Sequence, residues 1–236
     1  MSVDKSALRV RRMFGQIARR YDLLNHLLSL GIDKSWRRRT TRLVKPAAEG
    51  PILDVCTGTG DLALAYWRAG RRRVRIVGVD FCRPMLRIGN KKARRAGALE
   101  QIALVEADGL ELPFPAETFQ IVTVAFGLRN LSDMDRGLRE MVRVCRPGGR
   151  LAVLEFSMPD VWPLRPIYGW YFRHLLPRVG QALAKNRQDA YNYLPASVGQ
   201  FPQHEALAQR MSRAGVRSVR YHRFTFGIAT LYVGVK

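Results

Sequence analysis

The segment from Ile52 to Ala69 constrains the fold of this chain more than any other part of the sequence. Ile52 to Val55 form a short apolar run, and Leu62 to Ala69 have the composition of a helix. Between them lies Gly58-Thr59-Gly60-Asp61, where two glycines permit a sharp turn and leave no side chain above it. The segment therefore predicts a strand, a tight turn and a helix, an arrangement that cradles nucleotides.

The acidic residues near this turn indicate which nucleotide would fit. Asp61 directly follows the second glycine, where a carboxylate would repel a pyrophosphate but suit a cationic ligand. Asp80 ends a second apolar run, Val74 to Val79, about 20 residues after the turn, where an acid commonly hydrogen-bonds ribose hydroxyls. This spacing favours S-adenosylmethionine, which carries a positive sulfonium. A flavin or nicotinamide cofactor is the alternative, since both use the same scaffold.

Length and composition predict one folded domain over residues 1–236. The sequence is 47% hydrophobic and 25% charged, which suits a soluble domain with a full core. It has no apolar run near the ~18 residues that a membrane span needs, and residues 1–10 lack the apolar core of a signal peptide. Cys56, Cys82 and Cys145 are too few and too scattered for a disulfide framework or a zinc site. We therefore expect a cytoplasmic protein that binds no metal.

The net charge is unusually positive. Lys and Arg number 40 against 19 Asp and Glu, which gives +21 and a pI near 11.0. The basic side chains concentrate in residues 1–50 and 68–95. Such a balance favours an anionic partner, either nucleic acid or a lipid surface. A solvated, arginine-rich surface from a GC-rich genome explains the charge equally well.

Residues 1–45 predict an N-terminal helical lid. Apolar residues recur at steps of three and four, as on one face of a helix, at Val10, Met13, Phe14, Ile17, Tyr21, Leu24 and Leu28. Arg11, Arg12 and Arg19 fall on the opposite side. A basic amphipathic helix can lie on an anionic membrane, or it can pack on the core with its arginines in water, and both roles stay open.

The middle of the chain alternates short apolar strands with amphipathic helices. Strands are predicted at 52–55, 74–80, 102–106, 120–125 and 150–156, and helices at 61–69, 84–95 and 135–145, with Pro147-Gly148-Gly149 in a loop. This alternation favours a parallel sheet covered on both faces. A helix at 203–214 and strands at 217–224 and 228–235 follow. The short connection between these two strands predicts antiparallel pairing at one end of the sheet.

Residues 157–200 predict an insertion that faces a substrate or a membrane. Pro159 to Gly180 mixes aromatic and aliphatic side chains with basic ones: Trp162, Tyr168, Trp170, Tyr171, Phe172, Leu175 and Leu176 with Arg165, Arg173, His174 and Arg178. Aromatics beside arginines suit a membrane interface or the wall of an apolar pocket. A satellite core under a long loop is the alternative.

Several segments together resemble the ubiquinone/menaquinone biosynthesis C-methyltransferase family. They are Arg20 to Asn25, Leu28 to Ile32, Leu53 to Leu62, Leu112 to Pro115, Ala125 to Asn130, Arg139 to Leu151, Leu154 to Ser157, and Tyr193 to Ser197 with Phe201-Pro202. The most specific are the N-terminal signature and Phe126-Gly127-Leu128-Arg129-Asn130. The resemblance implies a Rossmann-like class I methyltransferase fold: α/β, with a seven-stranded, mostly parallel sheet, an antiparallel C-terminal strand pair, and helices on both faces.

The resemblance also implies which residues bind S-adenosylmethionine. They are Gly58, Thr59, Gly60, Asp80, Asp108 and Gly109. Asp80 is similar to the family's ribose-binding acid, and Asp108 matches a position where an acid or amide would hydrogen-bond the adenine amino group. Gly109 stands where the family usually has alanine, and Ala125 where some members have serine. Cys56 is interpreted as a packing residue because its position needs a small side chain.

The implied reaction is methylation of a ring carbon on a polyprenylated quinol. The acceptor ring must be electron-rich, so the site should favour the phenolate of a group whose usual pKa is ~10. Arg129, just past the fourth strand, is the predicted catalytic residue, either stabilising the phenolate or orienting a water that takes the ring proton. Guanidinium stays protonated and is no ordinary base. A structural salt bridge is the alternative role, and Tyr21, Asp22 and His26 are secondary candidates.

We expect demethylmenaquinol as the substrate, because the chain lacks a transit-like leader and resembles a bacterial protein. The equivalent step of ubiquinone biosynthesis is the alternative, and an RNA methyltransferase is a distant one, since no motif for RNA chemistry accompanies the high pI. The expected location is the cytoplasm, with peripheral attachment to the anionic inner face of the cell membrane and no nucleic-acid partner. The sequence leaves monomer and homodimer open.

Overall fold

The computed structural model of the chain describes residues 6–47, 49–159, 161–171, 174 and 190–236. The helices are α1 (Ala7–Leu28), α2 (Ile32–Leu43), α3 (Asp61–Ala69), α4 (Arg83–Ala96), α5 (Met134–Val144), α6 (Leu164–Trp170), α7 (Ala190–Gln200) and α8 (Glu205–Arg213). The strands are β1 (Ile52–Val55), β2 (Ile76–Asp80), β3 (Ile102–Glu106), β4 (Phe119–Ala125), β5 (Cys145–Phe156), β6 (Arg217–Phe224) and β7 (Ala229–Val235). None of the helices within these ranges is long and apolar enough to cross a bilayer.

The strands form one seven-stranded sheet in the order β3-β2-β1-β4-β5-β7-β6. β1, β2, β3, β4 and β5 pair in parallel, and β7 pairs antiparallel with both β5 and β6. Every residue of β1 is buried, as expected for a central strand covered on both faces. The predicted fold class, including the antiparallel C-terminal pair, is confirmed.

Helices bury one apolar core on each face of the sheet. On one face α2, α3 and α4 contribute side chains that include Trp36, Tyr66, Trp67 and Ala93. On the other face α5 and α8 contribute Leu138, Met141, Leu207 and Met211. Because β1 to β5 run parallel, their carboxyl ends lie along a common edge of the sheet. Ligands bind at this edge in open α/β sheets.

β5 begins five residues before its predicted start, so the prediction that Pro147-Gly148-Gly149 lies in a loop was wrong. Phe119 of β4 pairs with Cys145, whereas Ile121 pairs with Arg150, so extra residues bulge out of the ladder. Gly148 has φ +71°, and a Cβ at Gly149 would lie 2.6 Å from the Cys145 sulfur. Glycine therefore continues the strand here because no side chain would fit the bulge.

The N-terminal helix packs as the amphipathic pattern predicts. Its buried residues Val10, Met13 and Ile17 contact Tyr193 and Val198 of α7, and α1 also packs along α4. Arg11 and Arg12 are exposed, while the side chains of Arg19, Leu24 and Leu28 lie outside the described residues. This arrangement agrees with packing on the core.

The structure describes only part of the insertion. Tyr168 and Tyr171 pack against the buried residues that α1 shares with α7, whereas Trp162 and Trp170 are exposed. Phe172, Arg173 and residues 175–180 lie outside the described residues. The described aromatics thus include both cavity-facing and solvent-facing side chains.

Candidate functional site

Three adjoining recesses lie at the carboxyl ends of the parallel strands. The first, the edge cleft, is lined by residues that include Phe14, Tyr21, Gly58, Asp80, Asp108 and Asn130. The second, the turn cleft, is lined by residues that include Tyr21, Arg37, Asp54, Thr59 and Asp61. The third, the large cavity, has a volume of about 430 Å³ and a lining that includes Tyr21, Arg37, Phe126, Arg129, Phe156 and Tyr171. Tyr21 of α1 lines all three, so the recesses meet beneath that helix.

Asp80 connects β2 to the glycine turn through its carboxylate. Its Oδ2 accepts a hydrogen bond from the backbone N–H of Gly58 (2.8 Å), and its Oδ1 accepts one from the N–H of Cys82 (2.8 Å). Burial raises the pKa of Asp80 to about 6, against the lowering effect of these two donors. The carboxylate retains lone pairs toward the edge cleft, where it can accept hydrogen bonds from a ligand.

The edge cleft presents further acceptors, and these fit a nucleoside. Asp108 is exposed and its Oδ1 accepts from the N–H of Leu110 (2.9 Å), while Gly109 is buried in the cleft lining. The Oδ1 of Asn130 is buried and has no hydrogen-bond partner among the described residues. Ribose hydroxyls and an adenine amino group are donors, so this acceptor set matches them.

The turn itself places Gly58 and Thr59 at the recesses but leaves Gly60 out of their lining. Gly60, at φ +77°, is the N-cap of α3 and shapes the turn; its contact with the cofactor stays a prediction. The Thr59 hydroxyl donates to Oδ1 of Asp22 (2.6 Å) and accepts from Nζ of Lys92 (3.0 Å). The hydroxyl hydrogen of Thr59 is therefore already donated within the protein, so Thr59 lines the cleft without an O–H to donate to a ligand.

The turn cleft contains both signs of charge. Asp54 is buried, accepts from the Thr57 hydroxyl (2.6 Å), and has its pKa raised to about 7 by burial. Arg37 supplies a guanidinium to the same lining. Asp61 is paired with Lys92, so the cation that the sequence led us to expect beside it is supplied by the protein. A zwitterionic amino-acid group matches a cleft with both charges.

Arg129 lies on the wall of the large cavity, where its guanidinium is held from one side. Nη1 donates to Oε2 of Glu155 (2.7 Å) and to the carbonyl of Phe126 (2.5 Å). The Nε of Arg129 is buried and has no hydrogen-bond partner among the described residues. Such an unsatisfied buried donor is costly unless a ligand completes it. Arg129 thus lies on the cavity wall and also forms the salt bridge that was its alternative role, while its predicted catalytic role stays a prediction.

The turns after β1 and β4 are strained where they meet. Cys56 and Phe126 both have left-handed backbone conformations, with φ of +53° and +59°. A Cβ at Gly127 would lie 2.4 Å from the Cβ of Cys56, so the two turns touch. Strain of this kind concentrates at ligand sites. Burial also raises the pKa of the Cys56 thiol well above its usual value, which agrees with the interpretation of Cys56 as a packing residue.

The secondary candidates have different surroundings. Burial raises the pKa of Tyr21, so its hydroxyl stays protonated near neutral pH. His26 lies with Nδ1 2.8 Å from Oδ2 of Asp33, and Asp33 also pairs with Arg37 and accepts from the Ser29 hydroxyl (2.9 Å). The Arg37 guanidinium lies 5.6 Å from the Phe126 ring centroid.

Four residues of the site were missed from the sequence: Arg37, Asp54, Lys92 and Glu155. Glu155 had a usable signal, since a lone acid directly after the buried apolar run Leu151 to Leu154 must find a buried partner. Lys92 and Arg37 had none, because each lies among many basic residues of similar spacing.

Comparison with known proteins gives full-length matches. The profile of the ubiE/COQ5 methyltransferase family matches residues 1–236. The demethylmenaquinone methyltransferase of Thermus thermophilus is 48% identical over 222 residues, covering 94% of this chain and 99% of that protein. The Geobacter sulfurreducens protein named ubiquinone/menaquinone biosynthesis C-methyltransferase UbiE is 44% identical over 228 residues, covering 97% and 88%.

A solved structure shares the fold. The Thermotoga maritima methyltransferase described as a possible histamine N-methyltransferase superposes with a TM-score of 0.65 at 18% identity, covering 95% of this chain and 98% of that one. At this identity the likeness concerns the fold alone.

Proposed function

Because the chain belongs to the ubiE/COQ5 methyltransferase family, we propose that it transfers a methyl group from S-adenosylmethionine to a ring carbon of a polyprenylated quinol. The proposed acceptor is demethylmenaquinol, the substrate class in the name of the Thermus thermophilus relative. The observation that carries the proposal is Arg129, whose buried side chain lines an apolar cavity of about 430 Å³. A quinol bound in this cavity would bring its oxygen beside the guanidinium.

The residues present fit the cofactor. Asp80 and Asp108 supply acceptors for its ribose and adenine groups, while Arg37 and Asp54 supply opposite charges for its amino-acid end. When bound, S-adenosylmethionine supplies an activated methyl group. Tyr21 lines the recesses on both sides of the junction and would form the wall between the cofactor and the acceptor ring.

Arg129 promotes the reaction by favouring the ionised acceptor. A phenol in water has a pKa of ~10, and a guanidinium donating to its oxygen in an apolar cavity lowers that value. Glu155 holds the guanidinium through Nη1, and we assign the contact with the substrate oxygen to the rest of the guanidinium. Tyr21 stays protonated, so we assign the loss of the ring proton to a water molecule oriented by Arg129.

The test is transfer of labelled methyl to two acceptors, a prenylated naphthoquinol and a prenylated benzoquinol. We expect the naphthoquinol to be preferred and Arg129→Ala to lower kcat by roughly 10²-fold or more, as for other lost transition-state donors. Arg136, an exposed arginine paired with Glu111, gives the matched control Arg136→Ala, which should keep the rate. Full activity of Arg129→Ala would remove Arg129 from the mechanism, and preference for the benzoquinol would support the step of ubiquinone biosynthesis.

We further propose that the protein docks on the anionic inner face of the cell membrane, where the isoprenoid tail of its substrate lies. Leu30, Ile167 and Phe226 line the large cavity and are also exposed, so they form an apolar rim at its mouth. Trp162 is 82% exposed in the same insertion as Ile167. Apolar groups beside a strongly basic surface suit a lipid interface.

Flotation with liposomes tests this docking. We expect binding that increases with the fraction of anionic lipid and decreases with salt, since each basic group near the surface adds about 1 kcal/mol. Binding that ignores both lipid charge and salt would contradict the proposal.

A further inference from the structure

Three side chains, from α1, the glycine turn and the start of α3, meet at the ammonium group of Lys92. Nζ of Lys92 on α4 lies 2.9 Å from Oδ2 of Asp22 on α1 and 3.0 Å from Oγ1 of Thr59 in the glycine turn. It also pairs with Asp61, the first residue of α3. The Thr59 hydroxyl donates to Oδ1 of Asp22 (2.6 Å), which closes the network. We call Asp22, Thr59, Asp61 and Lys92 the Lys92 cluster.

The cluster is satisfied internally. An ammonium group has three N–H donors, and Lys92 has three oxygen partners for them. The side chains of Lys92, Asp22 and Asp61 are 23%, 28% and 23% exposed, so water screens their attraction only in part. The cluster therefore connects α1 to the cofactor turn, and two of its members, Thr59 and Asp61, also line the turn cleft.

The contacts of Asp22 with Lys92 and Thr59 also hold the neighbouring residue Tyr21 in place. Asp22 directly follows Tyr21, the residue that lines all three recesses. Fixing the Asp22 carboxylate to Lys92 and Thr59 therefore fixes Tyr21 over the turn. On the opposite side of the junction, Arg37 and Arg129 are held by their own ion pairs.

We propose that Lys92 is a positioning residue that holds α1 closed over the glycine turn through Asp22, so that the cofactor is enclosed and the acceptor ring is aligned. The proposal rests on the methyltransferase function proposed above. Lys92 lies away from the reacting atoms and acts through Tyr21, so its loss should affect ligand retention and the mobility of α1. A purely electrostatic influence on the cationic cofactor is the competing explanation.

Two substitutions separate these explanations, because they break the same contact with opposite changes in charge. Lys92→Met removes a positive charge, and Asp22→Asn removes a negative one. If closure matters, both variants should weaken binding of S-adenosylmethionine and of S-adenosylhomocysteine, which lacks the sulfonium charge, each by roughly tenfold. The double variant should then be little worse than either single one. If charge alone matters, the two variants should shift the affinity for S-adenosylmethionine in opposite directions.

The measurements are calorimetric titration with each ligand and hydrogen exchange of the α1 amides. Lys91→Met, at an exposed neighbouring lysine, is the matched control and should change neither readout. Lys92→Arg, which can still pair with both carboxylates, should restore most of the affinity. Opposite shifts in the two variants, additive losses in the double variant, or α1 exchange as slow as in Lys91→Met would overturn the proposal.

Hydrogen exchange also keeps this test independent of the proposed function. If the chain bound no S-adenosylmethionine, the methyltransferase proposal would fail, yet faster α1 exchange in Lys92→Met and Asp22→Asn would still report the connection. Thermal unfolding of each variant checks that the domain outside α1 remains folded, and Lys92→Arg covers the case in which Lys92→Met does not fold.

Discussion

Arg129 and Glu155 form a buried ion pair at the wall of the large cavity, with 2.7 Å between Nη1 and Oε2 and side-chain exposures of 5% and 1%. Glu155 also accepts hydrogen bonds from the backbone N–H of Arg129 (3.2 Å, Oε1) and of Phe156 (3.2 Å, Oε2). One carboxylate thus fixes the guanidinium and the backbone that follows β4. Nη1 thus serves the fold, while Nε is buried without a hydrogen-bond partner among the described residues.

Arg129→Lys should fold and yet lose most of its activity. Lysine keeps the positive charge beside Glu155 but lacks the Nε–H and the planar guanidinium, so we expect kcat to fall by roughly 10²-fold. Methyl transfer at saturating concentrations of both substrates measures the loss. Arg143→Lys, which alters the arginine of the Glu140 ion pair away from the cavities, serves as the control. A rate for Arg129→Lys equal to wild type would show that charge alone suffices.

Glu155→Gln should mainly lower stability. The substitution preserves shape but leaves the Arg129 guanidinium buried without a counter-charge, so we expect the free energy of unfolding to fall by about 3 kcal/mol. Urea unfolding measures this change. Glu111→Gln breaks a solvent-exposed pair with Arg136 and should change stability by less than about 1 kcal/mol. Equal effects of the two substitutions would mean that burial of the Arg129 pair contributes little.

Asp80 should give cofactor binding a pH dependence. Its carboxylate accepts ligand hydrogen bonds most strongly when ionised, and its pKa is about 6, so affinity should weaken by up to roughly tenfold between pH 7 and pH 5. Calorimetry with S-adenosylmethionine across that range measures it. In Asp80→Asn binding should be weaker at pH 7 and should lose this dependence. A remaining change near pH 7 would belong to Asp54, whose pKa is about 7.

The free energy of unfolding of the ligand-free protein should increase as the pH falls, whereas the affinity for the cofactor should decrease. The folded pKa of Asp80 is raised above its unfolded value of ~3.9, so folding takes up a proton between about pH 4 and pH 6. The penalty for burying the charged carboxylate is complete above pH 6 and is relieved as the pH falls toward 4. Comparing urea unfolding of wild type and Asp80→Asn at pH 4.5 and pH 7 isolates this contribution.

The sequence predicted the sheet well because β1, β2, β3 and β4 are short, mostly apolar runs. β1, β3, β6 and α3 have the predicted bounds, and the family resemblance is confirmed by the full-length match. The start of β5 could not be predicted, because proline and glycine normally end a strand and only the bulge opposite β4 keeps this one continuous.

Long-range charge pairing could not be predicted either. Lys92 is separated by 70 residues from Asp22, and Glu155 by 26 from Arg129. Neither pair is spaced like neighbours on one helix or one strand, so local structure does not predict the contact. The Thr59 hydroxyl illustrates the limit: the turn was predicted, but the engagement of that hydroxyl by Asp22 depends on where α1 packs.

Two glycines near the site should respond differently to alanine. A Cβ at Gly109 would lie 3.2 Å from Cδ2 of Leu131 and 3.3 Å from Cγ1 of Val55, contacts that small side-chain shifts relieve. A Cβ at Gly127 would lie 2.4 Å from the Cβ of Cys56, which is fixed to the backbone. We expect Gly109→Ala to change the free energy of unfolding by less than about 1 kcal/mol and Gly127→Ala to lower it by about 3 kcal/mol. Urea unfolding measures the free energy of both variants. Equal losses of stability would contradict the close contact between Gly127 and Cys56.

Phe226 should contribute to membrane docking at the expense of local stability. Its side chain is 67% exposed at the rim of the large cavity, and its backbone has φ +55°, which phenylalanine adopts only with strain. Asparagine tolerates that conformation and is polar, so Phe226→Asn should raise the melting temperature slightly while reducing binding to anionic liposomes severalfold. Leu99→Asn replaces an exposed apolar residue before β3, at the amino end of the strands, and should leave flotation unchanged. Unaltered flotation of Phe226→Asn would place the membrane contact on another surface.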